Sequence, residues 1–302
     1  MIQRNEKQPS PEEQVWFVTG CSSGFGRQIA TQLLEMNYRT VVCSRELVDI
    51  DDLSKFENVL LLRLDVTNRV EVEEAVRSAE QHFGRIDVLV NNAGIGYFGA
   101  VEESDEEEVR KMFDVNFFGL CRMIHVVLPG MRERGNGTIV NISSIAGLRS
   151  FPSLGYYSAS KFAVEGLSEA LWQEVEPLGI KVMLVEPSGF RTDWAGRSAN
   201  ETKKPIEDYA NTAGQAMKTV RDSSGEQPGD PERAALAIIT AVESPDMPHR
   251  LLLGNDAFEG AISKLEDLRK DFLACEKVAR DADFTDNSMQ ESAASKDLAS
   301  RS

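Results

Sequence analysis

The feature that most constrains this chain is the regular alternation of short apolar runs with longer amphipathic segments. Several of the runs are hydrophobic at consecutive positions, which is typical of parallel strands covered on both faces. The segments between them carry apolar residues at helical spacing. This alternation predicts right-handed strand–helix–strand crossovers, and therefore an α/β fold with a doubly wound, seven-stranded parallel sheet and helices on both faces.

The predicted strands are Val15–Thr19, Thr40–Cys43, Val59–Leu64, Ile86–Val90, Thr138–Ile142, Val182–Val185 and Arg250–Leu253. The predicted helices are Arg27–Met36, Val70–Phe83, Glu106–Met131, Tyr157–Val175 and Pro231–Val242. Residues 14–280 are predicted to form one catalytic domain, with a flexible leader over 1–13 and a disordered tail over 281–302. Residues from about 189 to 229 carry no strand pattern and follow a strand's end, where such folds place a substrate loop.

Charge and cysteine usage narrow the class of function. The net charge of −16 over 302 residues argues against a nucleic-acid partner, which needs clustered Lys and Arg. The first residues lack the apolar core of a signal peptide, and no stretch approaches a membrane span, so we expect a cytoplasmic protein with no membrane partner. The four cysteines form no CxxC pair, which predicts neither a disulfide framework nor a metal site. Cys21 and Cys43 are expected to be small buried apolar residues.

A glycine-rich turn follows the first predicted strand and opens the first predicted helix. Its glycines permit a tight turn and let the backbone approach a pyrophosphate at the helix N-terminus. The candidate dinucleotide-binding residues here are Gly20, Ser22, Ser23, Gly24, Phe25 and Gly26. The same residues satisfy the G-x-S-x-G elbow of hydrolases. That alternative is disfavoured because only about 14 residues precede the strand, so no upstream loop could complete an oxyanion hole, and no histidine stands in a recognisable triad.

Tyr157 and Lys161 begin a long helical pattern at i, i+4 spacing, which puts a phenol and an ammonium on one helical face. A nearby cation favours phenolate and would lower the pKa of Tyr157 towards the range of a general acid or base. The pair alone has limited specificity, because this spacing arises by chance in many chains.

Together, these motifs and others in the same order make residues 14–255 resemble the single-domain short-chain dehydrogenases/reductases, of the carbonyl reductase or hydroxysteroid dehydrogenase-like kind. The further matching residues are Thr19, Asp65-Val66, Asn91-Asn92-Ala93-Gly94, Asn116, Ser143-Ser144, Pro187-Ser188-Gly189 and Thr192. The resemblance implies a Rossmann-type fold and a hydride transfer between nicotinamide and a ketone or secondary alcohol. Ser188 departs from the family's usual glycine, although Pro187 and Gly189 can still shape the turn.

The resemblance implies a role for each matching residue. Tyr157 would be the acid in reduction and the base in oxidation, and Lys161 would bind the nicotinamide ribose and tune the phenol. Ser144 would hold the substrate oxygen, with a strand-end cap as its structural alternative, and Asn116 would hold a water of the proton relay. The remaining cofactor contacts would be Asp65 and Val66 at the adenine, Asn92 at the adenosine side or within the central sheet, Ala93 and Gly94 in the same turn, and Pro187, Gly189 and Thr192 near the carboxamide.

Cofactor choice is predicted from the end of the second strand. When the chain is aligned with the family's motifs, Ser44 occupies the position that is acidic in NAD-binding members. Arg45 follows it. A hydroxyl accepts a 2′-phosphate that an acid would repel, and the guanidinium can bind it while stacking on adenine. Glu46 is expected to face solvent. We therefore predict NADP(H) in preference to NAD(H).

The predicted substrate is a small hydrophobic carbonyl compound or alcohol, because the candidate pocket residues are mostly apolar or aromatic. They are Gly96, Phe98, Ile145, Phe151, Leu154, Phe190 and Trp194. Two other functions stay open: a non-redox epimerase or dehydratase of the same superfamily, and a catalytically silent NADP-binding sensor or scaffold. The long helices that begin at Glu106 and Tyr157 resemble those through which family members associate, so a homodimer is expected, with a tetramer as the alternative.

Overall fold

The structure is a computed structural model that describes residues 13–196 and 198–284. Most of the predicted leader and tail therefore lies outside the described residues. By its contacts the chain divides into one unit that ends at Phe258 and a second that begins at Glu259.

The central sheet has seven parallel strands in the order β3-β2-β1-β4-β6-β7-β9. This confirms the doubly wound α/β prediction. The strand order reverses between β1 and β4, and in such sheets the crevice at this switch point takes the ligand. The strands of the described residues are β1 (Val15–Val18), β2 (Arg39–Ser44), β3 (Val59–Arg63), β4 (Val88–Asn91), β5 (Gly96–Phe98), β6 (Gly137–Ile142), β7 (Ile180–Pro187), β8 (Ala199–Glu201) and β9 (Arg250–Leu253).

The predicted helices are all present, with one important interruption. The single helix expected from Glu106 to Met131 is two α-helices joined by a π-helical segment at Asp114–Gly119. Such segments often mark functional sites, because they re-aim one turn of side chains. The helices are α1 (Gly24–Glu35), α2 (Arg69–Phe83), α3 (Glu106–Phe113), α4 (Leu120–Arg134), α5 (Gly155–Val175), α6 (Gln215–Asp222), α7 (Pro231–Glu243), α8 (Asn255–Ala274) and α9 (Glu276–Arg280).

The prediction that residues 189–229 contain no strand was wrong. Strand β8 lies in this segment and pairs in parallel with β5, so that Gly96 stands opposite Ala199 and Phe98 opposite Glu201. Each strand has three residues, too few for an alternating pattern to be visible in the sequence. The small sheet joins the predicted substrate loop to the chain that follows β4.

Alternate side chains of the strands pack into separate cores on the two faces of the sheet. Along β1, Val15 and Phe17 belong to one core, whereas Trp16 and Val18 belong to the other. This is the pattern of a strand buried on both faces. Cys21 and Cys43 are buried as predicted.

One expectation about the membrane needs correction. Among the described residues, the continuous helical stretch Glu106–Arg134 is long and apolar enough, by length and composition, to cross a membrane. Its apolar residues include Leu120, Met123 and Val127, which lie in the core beneath the sheet. Helices that pack in a protein core share this composition with spanning helices. Packing within the molecule thus accounts for the buried part of this stretch, which is 39% of its apolar window.

Candidate active site

The glycine-rich turn between β1 and α1 has the shape expected for a dinucleotide cradle. Gly20 and Gly24 have φ angles of 70° and 58°, in the left-handed region that favours glycine. A side chain at Gly26 would overlap the Gly20 carbonyl and the Asn92 amide. Ser23, the N-cap residue of α1, makes no side-chain cap bond. The amide groups of this first turn are consequently left for an anion, so the turn fits a pyrophosphate.

Asn92 braces this turn with its side chain. Its Nδ2 donates to the carbonyl oxygens of Thr19 and Gly20, each at 2.9 Å. The backbone N–H groups of Asn92 and Ala93 donate in turn to Thr19 Oγ1, at 3.0 and 3.1 Å. Of the two placements expected for Asn92, the structure favours the one within the central sheet, because both Nδ2 hydrogens are used there.

Asp65 is likewise engaged within its own turn. Its Oδ1 accepts hydrogen bonds from the backbone N–H and the hydroxyl of Thr67, at 2.9 and 2.8 Å. Val66 is buried and packs beside Gly119 of the π-helical segment. The side chains of both predicted adenine-contacting residues thus shape the loop after β3.

The residues predicted to select the cofactor end strand β2. Ser44 is the last residue of that strand and is buried, whereas Arg45 is exposed. Arg45 forms no ion pair with any residue that the structure describes. Its guanidinium is therefore available to an anionic group at this edge of the sheet.

The structure brings Ser144, Tyr157 and Lys161 together as predicted from the sequence. Tyr157 is buried on α5, and hydrogen bonding with the Ser144 side chain lowers the pKa of its phenol. Lys161 Nζ lies 5.8 Å from the centre of the Tyr157 ring and donates to the Ile142 carbonyl at 2.8 Å. Ser144 Oγ also accepts a hydrogen bond from Ala146 N at 3.1 Å, so the strand-end cap and the contact with the phenol coexist.

Burial dominates the electrostatics of this group. It raises the pKa of Tyr157 well above its usual value, and the Ser144 hydrogen bond lowers it only in part. The expectation that Lys161 lowers this pKa was therefore wrong for the protein alone, since desolvation outweighs the distant cation. Burial also lowers the pKa of Lys161, whereas the negative charge of Glu165 raises it, and the result is about 8. Lys161 thus changes protonation near neutral pH.

Asn116 lies in the π-helical segment and is buried. Its Oδ1 accepts from the Ile95 N–H at 2.8 Å, while Nδ2 donates to the Ile95 carbonyl at 2.9 Å and to Ser160 Oγ at 3.2 Å. A side-chain carbon at Gly94 would lie 3.4 Å from Asn116 Oδ1 and 3.8 Å from Lys161 Nζ. The absence of a side chain at Gly94 therefore leaves space between these two polar groups.

The loop after β7 runs back towards the glycine-rich turn. Pro187 ends the strand, and the Gly189 carbonyl accepts a hydrogen bond from the Gly229 N–H at 3.1 Å. Thr192 caps the short helical turn that carries Trp194, and its side chain lies within 3.7 Å of the position that a Cβ on Gly24 would take. Thr192 and Gly24 thus approach each other, as the cofactor prediction requires.

Aromatic and aliphatic side chains surround the Tyr157 ring. Trp194 lies with its ring centre 4.9 Å from that of Tyr157 and 5.7 Å from that of Phe98. Phe151 and Leu154 belong to the same cluster, as predicted. Phe190 instead packs against Phe25, in the core on the other side of the sheet. Further members of the cluster, to which the sequence did not point, include Tyr97, Ala199, Met217 and Val220.

Comparison with known proteins agrees with this geometry. Residues 14–203 match the sequence profile of the family described as short chain dehydrogenase. The chain belongs to this family. It is 41% identical over 245 residues to 3-ketodihydrosphingosine reductase of Bacteroides thetaiotaomicron, covering 80% of this chain and 88% of the relative. It is therefore an NAD(P)-dependent oxidoreductase that acts on CH–OH and C=O groups.

Solved structures show the same relationship. A short-chain dehydrogenase from Streptomyces avermitilis has a TM-score of 0.84 at 41% identity, covering 89% of this chain and 98% of its own. A member from Burkholderia phymatum, in complex with NAD, has a TM-score of 0.76 at 26% identity, covering 85% and 95%. The family fold thus binds a nicotinamide dinucleotide.

Proposed function

We propose that this protein is an NADP(H)-preferring reductase of hydrophobic ketones, or dehydrogenase of the matching secondary alcohols, with Tyr157 as the general acid and base. The observation that carries the proposal is the buried Tyr157 hydroxyl beside the Ser144 hydroxyl, on the helix face that also bears Lys161. In reduction, Ser144 holds the substrate oxygen while the Tyr157 hydroxyl gives it a proton. The nicotinamide, when bound, supplies or accepts the hydride.

The protonation of Tyr157 suits this role. Because its pKa is raised by burial, the phenol carries its proton at neutral pH and is ready to donate it to a developing alkoxide. Lys161, which donates to the Ile142 carbonyl, would bind the nicotinamide ribose beside this phenol. Ser144 then offers a hydrogen bond to the substrate oxygen throughout the step.

The preference for NADP(H) rests on Ser44 and Arg45. An exposed guanidinium that forms no ion pair within residues 13–196 and 198–284, next to a buried hydroxyl, favours a 2′-phosphate, whereas NAD-binding folds use an acid at this strand end. Replacing Arg45 with Ala should raise the KM for NADPH about tenfold and leave that for NADH within twofold. The result contradicts the assignment if the wild-type protein has the higher kcat/KM with NADH.

The hydrophobic substrate follows from the cluster around Tyr157. Trp194, Phe98 and Leu154 pack there in one apolar cluster with Tyr157. The relative from B. thetaiotaomicron is named for a long-chain ketone, and such a compound suits these walls. We therefore place 3-ketodihydrosphingosine in the test panel beside aryl and alkyl ketones.

The decisive assay is NADPH oxidation with this ketone panel, measured for the wild-type protein and for Tyr157→Phe. Tyr157→Phe should lower kcat by at least about 100-fold, because it removes the proton donor alone. Tyr156→Phe is the matched control on the preceding residue and should stay within threefold of wild type. Turnover that survives Tyr157→Phe would refute the role of the phenol. Cofactor binding with no turnover of any ketone would instead favour the sensor or the epimerase alternative.

We further propose that the enzyme works in the cytoplasm as a homodimer. The acidic net charge supports the first point. The exposed Phe118 and Phe162, on the π-helical segment and on α5, support the second, because paired subunits would cover them.

A further inference from the structure

Arg221, on α6, binds the backbone of the loop after β7 at several points. Its Nη1 donates to the carbonyl oxygens of Ala195 and Gly196, each at 2.8 Å. Its Nη2 donates to the Ala199 carbonyl at 2.8 Å and to Glu201 Oε2 at 3.0 Å. One guanidinium thus joins two stretches of this loop, the second of which is strand β8.

Arg221 also lies over an aromatic ring. Its Cζ is 4.8 Å from the centre of the Phe98 ring, and a guanidinium is attracted to a ring at this distance. Phe98 is fully buried and belongs to β5, the partner strand of β8. Met217 and Val220, also on α6, pack against the apolar cluster that contains Phe98. Helix α6 is therefore attached to this part of the molecule by polar and by apolar contacts.

Trp194 directly precedes the backbone that Arg221 binds. Its ring centre is 4.9 Å from that of Tyr157, whose residue surface is only 7% exposed. A side-chain carbon at Gly96 would lie 2.9 Å from the Trp194 ring, so the indole also packs closely on β5. Trp194 itself is only partly buried, which leaves part of the indole accessible to a substrate.

The contacts of Arg221 with backbone carbonyls matter more than its ion pair. The side chains of Arg221 and Glu201 are 25% and 51% exposed, and an ion pair that meets water contributes little to stability. A guanidinium, in contrast, presents five donors in a fixed plane and can satisfy several carbonyl oxygens at once. The attachment of the loop therefore depends mainly on the three carbonyl contacts.

We propose that Arg221 is a positioning residue that holds Trp194 against Tyr157 and thereby sets the affinity for hydrophobic ketones. This inference rests on the proposed function, because it takes Tyr157 as the proton donor of a ketone reductase. A ketone whose apolar part packs on the indole needs Trp194 in this position. If Trp194 occupies the position for only part of the time, the apparent affinity falls by that fraction. Arg221 touches no reacting atom, so its loss changes KM and leaves kcat nearly unchanged.

Steady-state reduction of an aryl ketone by NADPH tests this role. Arg221→Met keeps an apolar side chain but removes all the donors. If it lowers the occupancy of the Trp194 position to about one tenth, KM rises about tenfold while kcat stays within about twofold. Arg221→Lys should stay at least about threefold above the wild-type KM, because a single ammonium cannot replace the planar set of donors. A fall in kcat with an unchanged KM would overturn the proposal.

Two control variants separate the carbonyl contacts from charge effects. Glu201→Gln removes the ion pair and keeps the carbonyl contacts, so its KM should lie within about twofold of wild type. Lys218→Gln removes a positive charge from the same helix, where Lys218 pairs with the exposed Asp222, and should also stay within about twofold. A loss in Glu201→Gln as large as that in Arg221→Met would show that the ion pair holds the loop, and would refute the role of the carbonyl contacts.

A double variant tests whether Arg221 acts through Trp194. Once Trp194→Ala has removed the indole, Arg221→Met should raise KM by less than about a further twofold, because the two residues act on one contact. If the two effects multiply instead, to about 100-fold over wild type, Arg221 acts by another route and the proposal fails.

Fluorine NMR of the full chain labelled with fluorotryptophan needs no turnover and therefore tests the attachment separately from the proposed function. The chain has three tryptophans, and Trp194→Phe identifies one of the three resonances. Arg221→Met should move or broaden the Trp194 resonance and leave that of Trp16, which is fully buried in the sheet, unchanged.

The NMR outcomes distinguish the failure of this inference from that of the proposed function. An unchanged Trp194 resonance would overturn the inference even if the enzyme reduces ketones. Movement of the Trp16 resonance as well would show a general disturbance of the fold and would overturn a local role for Arg221. A moved Trp194 resonance in a protein that reduces no ketone would support the attachment, but it would refute the proposed function and with it the effect on KM.

Discussion

One cluster of charges next to the catalytic helix allows a quantitative prediction. Arg250, on the edge strand β9, donates from Nη1 to Glu165 Oε2 at 2.5 Å and to Glu186 Oε1 at 2.7 Å, and from Nη2 to Glu169 Oε2 at 3.2 Å. Glu186 is fully buried and Glu165 nearly so. One guanidinium thus compensates two buried carboxylates. The perturbation is Arg250→Met, which keeps most of the side-chain volume and removes the charge.

The expected cost follows from what the substitution leaves behind. Removing one partner of a buried ion pair costs about 3–5 kcal/mol, because the remaining charge stays buried without compensation. The Arg250 side chain is 36% exposed, so we expect the lower end, about 3 kcal/mol. For a chain of this size, that lowers the Tm by about 6–12 °C. The matched control is Arg69→Met, which breaks the exposed pair with Glu73 and should cost less than about 1 kcal/mol.

The cost should also depend on pH. Burial and the charge of Glu165 raise the pKa of Glu186 above its usual value, while Arg250 lowers it. A carboxyl group whose pKa is raised on folding stabilises the folded state at acid pH, and that contribution is lost as the pH rises through the folded value. Arg250→Met removes the lowering influence, so the pKa of Glu186 rises further. The variant should therefore lose more stability at alkaline pH than at acid pH.

Urea denaturation at pH 5.5 and 8.5 measures both effects. We expect the loss in the free energy of unfolding to be larger at pH 8.5 by at least about 1 kcal/mol, which is roughly one further unit of pKa shift. Glu186→Gln, which removes the excess negative charge, should be neutral or stabilising at pH 8.5. A loss equal at both pH values, or below about 1 kcal/mol throughout, would refute the reasoning.

Three further predictions concern the cofactor turn, helix α5 and the aromatic cluster around Tyr157. Gly26→Ala should lower the free energy of unfolding by about 2 kcal/mol or more and weaken NADPH binding, because the added carbon overlaps Asn92 and the Gly20 carbonyl. Gly166→Ala, where nothing lies within 4 Å, should instead stabilise α5 by about 0.5–1 kcal/mol in the same urea titration. Trp194→Ala should raise the KM for hydrophobic ketones about tenfold and leave kcat within twofold in steady-state assays, because it removes apolar surface beside Tyr157. A fall in kcat with unchanged KM would show that Trp194 acts on the chemical step instead.

The sequence was sufficient to predict the large elements, because their periodicity is long enough to read. All seven central strands and four long helices were expected close to their observed bounds, whereas the fifth predicted helix is divided by the segment Asp114–Gly119 and α8 was not among the predicted helices. The pairing of β5 with β8 could not be expected, since three-residue strands about 100 positions apart leave no local pattern. The π-helical segment at Asp114–Gly119 was hidden for a related reason: one added backbone residue per turn does not change which residue types are apolar.

The chemistry could be predicted only where residues stand in a local motif. Tyr157 and Lys161 share one helix face, and Ser144 was predicted from the order in which the family's motifs follow one another. The compensation of Glu165 and Glu186 by Arg250 joins residues 85 and 64 positions apart and has no motif. It nevertheless bears on the site, because Glu165 lies one helical turn from Lys161 and raises the pKa that burial lowers. The influence of Arg250 therefore extends from the edge of the sheet to Lys161.

A motif residue also need not be a residue that touches the ligand. Asn92 belongs to the most recognisable turn of the chain, yet both hydrogens of its Nδ2 are used by Thr19 and Gly20. Its substitution should therefore act through the shape of the glycine-rich turn, on which any bound pyrophosphate depends. Tyr157 differs, because among the described residues Ser144 is the one side chain that hydrogen-bonds its phenol. A motif alone therefore does not show where substrate chemistry takes place. Atoms that the fold leaves with unused hydrogen-bonding capacity indicate it better.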